Sequence, residues 1–118
     1  MSYYLWPHGD EQRLRHYLEK GRVDLRVDTP FQDEMDGGDV AYFYVTNKVG
    51  LVAFATLAGR PYQMPAGEVR NPAFPLAVSL RGIHYISPPI RCQGKRGKFQ
   101  WVTRLSTPLQ MLGEITID

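Results

Sequence analysis

Arg91, Lys95, Arg96 and Lys98 set four cations within the eight-residue stretch RCQGKRGK, which holds no acidic side chain. Cations at that density suit phosphate oxygens, because each offers charge-assisted donors to an anion. Phe99 and Trp101 follow immediately. Basic residues beside aromatic rings fit a polynucleotide, whose backbone takes the charge while its bases take the ring faces. The plain alternative is a solvated loop kept soluble by its charge, and the sequence weighs the two evenly.

A second concentration is aromatic. Tyr42-Phe43-Tyr44 stands inside GGDVAYFYVTNKVGLVAFATL, which reads as a hairpin with a polar tip. Side chains alternate along a strand, so Tyr42, Tyr44 and Thr46 share one face, and Phe43, Val45 and Asn47 share the other. A half-buried strand needs rings on one face only. One face is core, and the other is free to hold something else. Trp6 is similarly placed, at the end of Tyr3-Tyr4-Leu5-Trp6 and just before Pro7-His8-Gly9.

Other chemistries find little support. His8, His16 and His84 share no ligand spacing, and Asp33, Glu34, Asp36 and Asp39 lack a calcium-loop pattern, so they read as a solvated acidic turn. No Gly-x-Ser-x-Gly is present, and Gly37-Gly38 precedes a strand instead of a helix, which rules out a phosphate loop. Cys92 is alone and cannot form an intrachain disulfide. A reducing, cytoplasmic setting follows as the default expectation. No stretch approaches the roughly 20 apolar residues of a membrane span. The opening Met-Ser-Tyr-Tyr-Leu-Trp-Pro lacks the basic start of a signal peptide. No cofactor is called for.

The elements that must position these residues fit one domain over residues 1–118, mildly basic with a net charge of +2. Tyr3 to Trp6 forms a strand that Pro7 ends. Asp10 caps a helix with Leu14, Tyr17 and Leu18 on one stripe, and Gly21 closes it. Val23 to Asp28 alternates as a strand. The hairpin follows, then a long irregular connection from Arg60 to Pro75 carrying four of the nine prolines. Leu76 to Leu80 is a strand, Ser87-Pro88-Pro89 breaks the chain after Ile83 to Ile86, and Phe99 to Val102 is a last strand. Ser106 or Thr107 caps a short C-terminal helix with Pro108 in its first turn. Five or six short strands and one long helix make an α+β protein with a small, strongly bent sheet.

This arrangement resembles the PUA-like superfamily, most closely its EVE branch, whose relatives include the YTH and ASCH domains. Four landmarks carry the resemblance in order: Tyr4-Leu5-Trp6-Pro7; Gly38-Asp39-Val40-Ala41-Tyr42-Phe43-Tyr44; Gly50-Leu51-Val52-Ala53-Phe54-Ala55; and Phe74-Pro75-Leu76. It departs where EVE members carry an acidic Pro motif and this chain has Pro7-His8-Gly9-Asp10. The resemblance implies a bent five- or six-stranded partial barrel with a packed helix and a short C-terminal helix. It also implies a cavity that holds a flipped nucleobase, often methylated, inside aromatic walls.

On that reading Trp6 and Tyr44 converge as the two stacking surfaces, with Tyr42 beside them and Trp101 as a reserve wall. Asp28, Thr46 and Asn47 supply polar groups for the base edge, while Arg91, Lys95, Arg96 and Lys98 hold phosphate. The partner is nucleic acid, DNA or RNA, with or without a modified base. Domains of this kind occur as modules of larger restriction or RNA-processing proteins. Two rivals are an ASCH-like hydrolase of a modified nucleoside and a protein-interaction domain without nucleic acid. The hydrolase's Gly-[Lys/Arg]-Lys-Thr-x-Glu-x-Arg stretch corresponds to Gly21 through Asp28, where Val23 and Asp24 replace the Lys and Thr, so that chemistry is disfavoured and the chain is expected not to be an enzyme.

Overall fold

Strand β1 (Tyr3–His8) opens the fold, and helix α1 (Glu11–Lys20) returns across it. The computed structural model describes residues 1–46, 49–93, 101–109 and 115–116. The order continues β2 (Arg22–Leu25), β3 (Val40–Val45), β4 (Gly50–Leu57), β5 (Tyr62–Gln63), a 3-10 turn (Ala66–Glu68), β6 (Leu76–Ile90), β7 (Cys92–Gln93), β8 (Thr103–Leu105) and β9 (Ile115–Thr116). The main sheet runs β2-β6-β4-β3-β1-β8, with β5 also on β6, while β7 and β9 pair separately. It is a curled α+β half-barrel with one long helix, as the alternation and helix signals imply.

The helix ends follow the expected chemistry. Asp10 is extended and its carboxylate accepts from the Arg13 N–H at 3.1 Å, and Gly21 closes the helix at φ 73°. Leu14 and Leu18 bury its inner stripe.

Pro7 does not end β1. Its strand runs on to His8, in parallel register with β3, and Pro7 stands opposite Tyr44. The Ser2 carbonyl accepts from Val40 N–H and the His8 carbonyl from Thr46 N–H. The even-numbered backbone groups of β1 therefore face β3, and Pro7 faces the other way. On that side pairing with β8 stops at Leu5. The N–H that proline lacks is one no ladder requires.

Ser87-Pro88-Pro89 likewise fails to break β6, which runs unbroken to Ile90. The register with β4 slips there: Tyr85 faces Ala53 and Ile90 faces Leu51, so the prolines ride in a bulge. Gly50 permits this, at φ 109°, where an added Cβ would stand 2.8 Å from the Ile90 carbonyl carbon. Strand β2 ends at Leu25 and leaves Asp28 in the following turn. The main-sheet strand in this region is Thr103–Leu105; of the expected strand Phe99–Val102, residues 101–102 precede it as bend and coil, while 99–100 lie outside the described residues. Residues 106–109 are bends and coil, and the rest of the expected C-terminal helix, 110–114, lies outside the described residues. Asp39 is buried, not solvated with its acidic neighbours, because its carboxylate accepts from the Ser2 and Asp36 N–H groups.

Two apolar layers result, one on each face of the sheet. The larger holds Tyr4, Trp6, Leu14, Leu18, Val23, Leu25, Phe43, Val45 and Val102 under the helix. The smaller holds Leu5, Tyr42, Tyr44 and Leu51, covered by Ile86, Ile90, Leu105 and Leu109.

Candidate functional site

On β1 the side chains of Tyr4, Trp6 and His8 fall on one face, because the strand continues past Pro7. At its far end that face opens into a cavity of about 460 Å³. It is lined by Trp6 and His8 of β1, Arg13 and Tyr17 of α1, Asp24 and Leu25 of β2, and Arg26, Thr29 and Phe74. Trp101 and Val102, which lead into β8, complete the wall.

Trp6 has two surfaces in use. It is only 4% exposed and packs against Phe43 at a ring distance of 5.9 Å, so it is a core residue whose remaining edge is a cavity wall. Trp101 is 49% exposed, a ring presented to solvent and cavity together. Phe74 stands under the Arg26 guanidinium, 6.0 Å from its ring centre. Aromatic walls with a cationic rim are therefore present.

Three polar residues, His8, Asp24 and Tyr17, line this apolar frame. His8 Nε2 is sealed from solvent and has no hydrogen-bond partner, although part of the residue is accessible. Burial, helped by the nearby Arg13 charge, lowers its pKa to about 4, so the ring is neutral at pH 7. Its rings of contact are Tyr17 and Phe43, at 6.2 and 6.1 Å. Asp24 is buried with Oδ1 lacking a hydrogen bond; Arg22 Nε stands 3.5 Å away, an ion-pair contact outside hydrogen-bond geometry. Desolvation pushes the Asp24 carboxyl above its ordinary pKa, against the opposing pull of Arg22. Tyr17 is raised too, by burial first and by the Asp24 charge second. An acceptor-rich carboxylate, a neutral imidazole and a phenol inside aromatic walls can bind a flat polar heterocycle: rings stack, and edge N–H and N or O atoms pair.

The anticipated site is only partly assembled here. The cavity brings Trp6 and Trp101 together. Tyr42 and Tyr44 are absent from it because even-numbered residues of β3 point into the other layer; the alternation holds, but parallel pairing puts Trp6 over Phe43 and not over Tyr44. Tyr44 is 4% exposed, and Tyr42 is 6% exposed with its pKa raised by burial, so both are core residues of that second layer. Thr46 caps the end of β1, its hydroxyl donating to the His8 carbonyl at 3.3 Å, and does not line the cavity. Asp28 lies on the surface, paired with Arg26 at 3.2 Å. Arg91 is exposed, and Asn47, Lys95, Arg96 and Lys98 lie outside the described residues. Sequence reasoning missed His8 and Asp24 as site residues. Running β1 through Pro7 would have put His8 two positions from Trp6 on one face, while Asp24 carries no local signal. Among the described residues no three His, Cys, Asp or Glu side chains converge as a metal site.

This architecture is similar to that of YTH domains. The crystal structure of the Mmi1 YTH domain matches with a TM-score of 0.56 at 10% identity, over 75% of this chain and 66% of that one. The complex of the YTH domain-containing protein mmi1 with RNA matches at 0.56 and 10% identity, over 74% and 55%. A Pseudomonas putida protein from structural genomics matches at 0.52 and 17% identity, over 75% and 72%. The chain thus spans about half to two thirds of the YTH chains. At identities this low the structural likeness establishes the shared fold alone. No protein-family model matches the sequence, and no curated protein does.

Proposed function

We propose that residues 1–118 form one nucleic-acid-binding reader domain of the EVE type that takes a single flipped-out base into the cavity between Trp6 and Trp101. One observation carries this reading. Two tryptophans from opposite ends of the chain line one cavity together with His8, Tyr17 and Asp24, so ring faces and polar side chains border the same space. About 460 Å³ lies within the roughly 300–1,000 Å³ typical of small-ligand sites. The fold is one that, in the Mmi1 case, has been solved with RNA, which favours RNA over DNA as the first partner to test.

Flipping costs a few kcal/mol, and each stacking ring returns about 1–3 kcal/mol. A methyl group seated against the tryptophans adds about 0.8 kcal/mol, so a modest preference for a methylated base follows. The reading is non-catalytic; among the described lining residues the single aliphatic alcohol, Thr29, already donates to the Arg26 carbonyl at 2.8 Å, which disfavours it as a nucleophile. A reducing cytoplasmic setting and a place within a larger nucleic-acid enzyme remain part of the proposal.

The test is a binding panel of methylated and plain single-stranded RNA and DNA oligonucleotides, with acylated nucleosides included to detect hydrolysis. Affinity that depends on Trp101 supports the base site. Turnover of any nucleoside would replace this reading with the hydrolase. No binding to any oligonucleotide would end it.

A further inference from the structure

A second cavity, of about 470 Å³, is lined by Lys20, Arg22, Gly67, Glu68 and Arg70. Lys20 comes from the last turn of α1, Arg22 from the start of β2, and Gly67 and Glu68 from the 3-10 turn in the Pro-rich connection. Arg70 follows that turn. Three cations face one carboxylate, so the pocket carries a net positive charge.

The cations are not saturated by that carboxylate. Arg22 Nη1 is 3.8 Å from Glu68 Oε2, and its Nε is 3.5 Å from Asp24 Oδ1. Both distances exceed the roughly 2.7–2.9 Å of a charge-assisted hydrogen bond, which leaves the guanidinium fork with donors to spend. Glu68 is half exposed and loosely held. Arg70 Nη1 bonds His16 Nε2 at 2.7 Å, which fixes one edge of its guanidinium to α1. Lys20 enters no ion pair among the described residues.

The two cavities are linked by one ion pair: Arg22 lines the second and stands 3.5 Å from Asp24, which lines the first. We infer that the second cavity takes the phosphate adjoining the base held in the first, with Lys20, Arg22 and Arg70 as its donors. The ligand that fills both cavities is then a nucleotide with its phosphate, and the strand crosses the end of α1. This inference rests on the proposed base site for the base but not for the phosphate. A phosphate seated there draws Arg22 toward itself and away from Asp24, which links occupancy of one cavity to the charge state of the other.

Lys20 and Arg70 are exposed, so the double variant Lys20→Met with Arg70→Met is expected to fold. Inorganic phosphate titrated into the wild type, followed by amide and arginine side-chain NMR shifts, should move the signals of Lys20, Arg22, Gly67 and Arg70. The double variant should show no such shifts in the residues it retains. A mixed-sequence single-stranded RNA heptamer should bind the double variant roughly tenfold more weakly, with the salt slope reduced by about 0.7 for each phosphate no longer held. A matched free nucleoside should bind both proteins equally. Phosphate shifts with no heptamer binding would keep the anion site and sink the base reading. Heptamer binding with unchanged affinity and salt slope in the double variant would overturn the phosphate site and leave the base reading standing.

Discussion

Trp101→Ala separates a cavity wall from a core residue more cleanly than any other change, because Trp6 serves as its internal control. Trp6 is 4% exposed and packed on Phe43, so Trp6→Ala removes a buried ring and leaves a void. The cost is about 3–5 kcal/mol. Trp101 is 49% exposed, and truncating a half-buried ring costs about 1 kcal/mol. At about 2.1 cal/mol/K per residue, a chain of 118 residues loses roughly 4 °C of Tm per kcal/mol. Trp6→Ala should therefore melt about 12–20 °C lower, and Trp101→Ala about 4 °C lower. Both lose one stacking face, worth about 1–3 kcal/mol, or roughly 5- to 150-fold in affinity. Differential scanning calorimetry and fluorescence anisotropy with a labelled RNA oligonucleotide, both on the same preparations, give the two readouts. A Trp101→Ala protein that melts as predicted and binds as tightly as wild type would refute the base site.

Other outcomes follow from the same geometry. The unfolded chain protonates His8 near pH 6.5 and the folded chain only near pH 4, so stability is full above 6.5 and falls by about 3 kcal/mol as pH drops to 4; urea midpoints at about pH 7 and pH 4 should show this loss, with His8→Gln removing most of it. Tyr44→Ala should destabilise by about 3–5 kcal/mol in chemical denaturation yet leave oligonucleotide affinity unchanged in the folded protein, because the ring lies in the opposite layer. Gly50→Ala should cost roughly 3 kcal/mol or more by thermal unfolding, since its backbone is left-handed and its Cβ would meet the Ile90 carbonyl.

Local signals in the sequence are faithful where the physics is local. Asp10, the Leu14-Tyr17-Leu18 stripe and Gly21 specify α1, and alternation sorts Tyr42 and Tyr44 from Phe43. What alternation cannot do is say which face of one strand meets which face of another. That needs the parallel β1–β3 register, set by a connection of more than thirty residues, and it moves Tyr44 away from Trp6. The prolines mislead for a related reason. Proline excludes a strand only where its N–H would enter a ladder, and that depends on where β8 stops and where β4 slips against β6. Asp24 is invisible in the sequence because the alternation of Val23 to Asp28 assigns it to the polar face, whereas packing buries it.

The pairing of β1 with β8 has a dynamic consequence. Trp6 and Trp101 lie ninety-five residues apart, and the ladder that brings them together spans only Tyr3–Leu5 against Thr103–Leu105 at the edge of the sheet. Short edge ladders open at low free-energy cost, ahead of the core. Detaching β8 would withdraw Trp101 and Val102 from the cavity wall, while β3, β4 and β6 pair without it. On the proposed reading, a base would bind only while β8 is paired, and the free energy of closing that ladder would be subtracted from the observed affinity. A bound base would hold that foldon shut, and its signature is slowed amide exchange at Thr103 to Leu105, far larger than any change in β4.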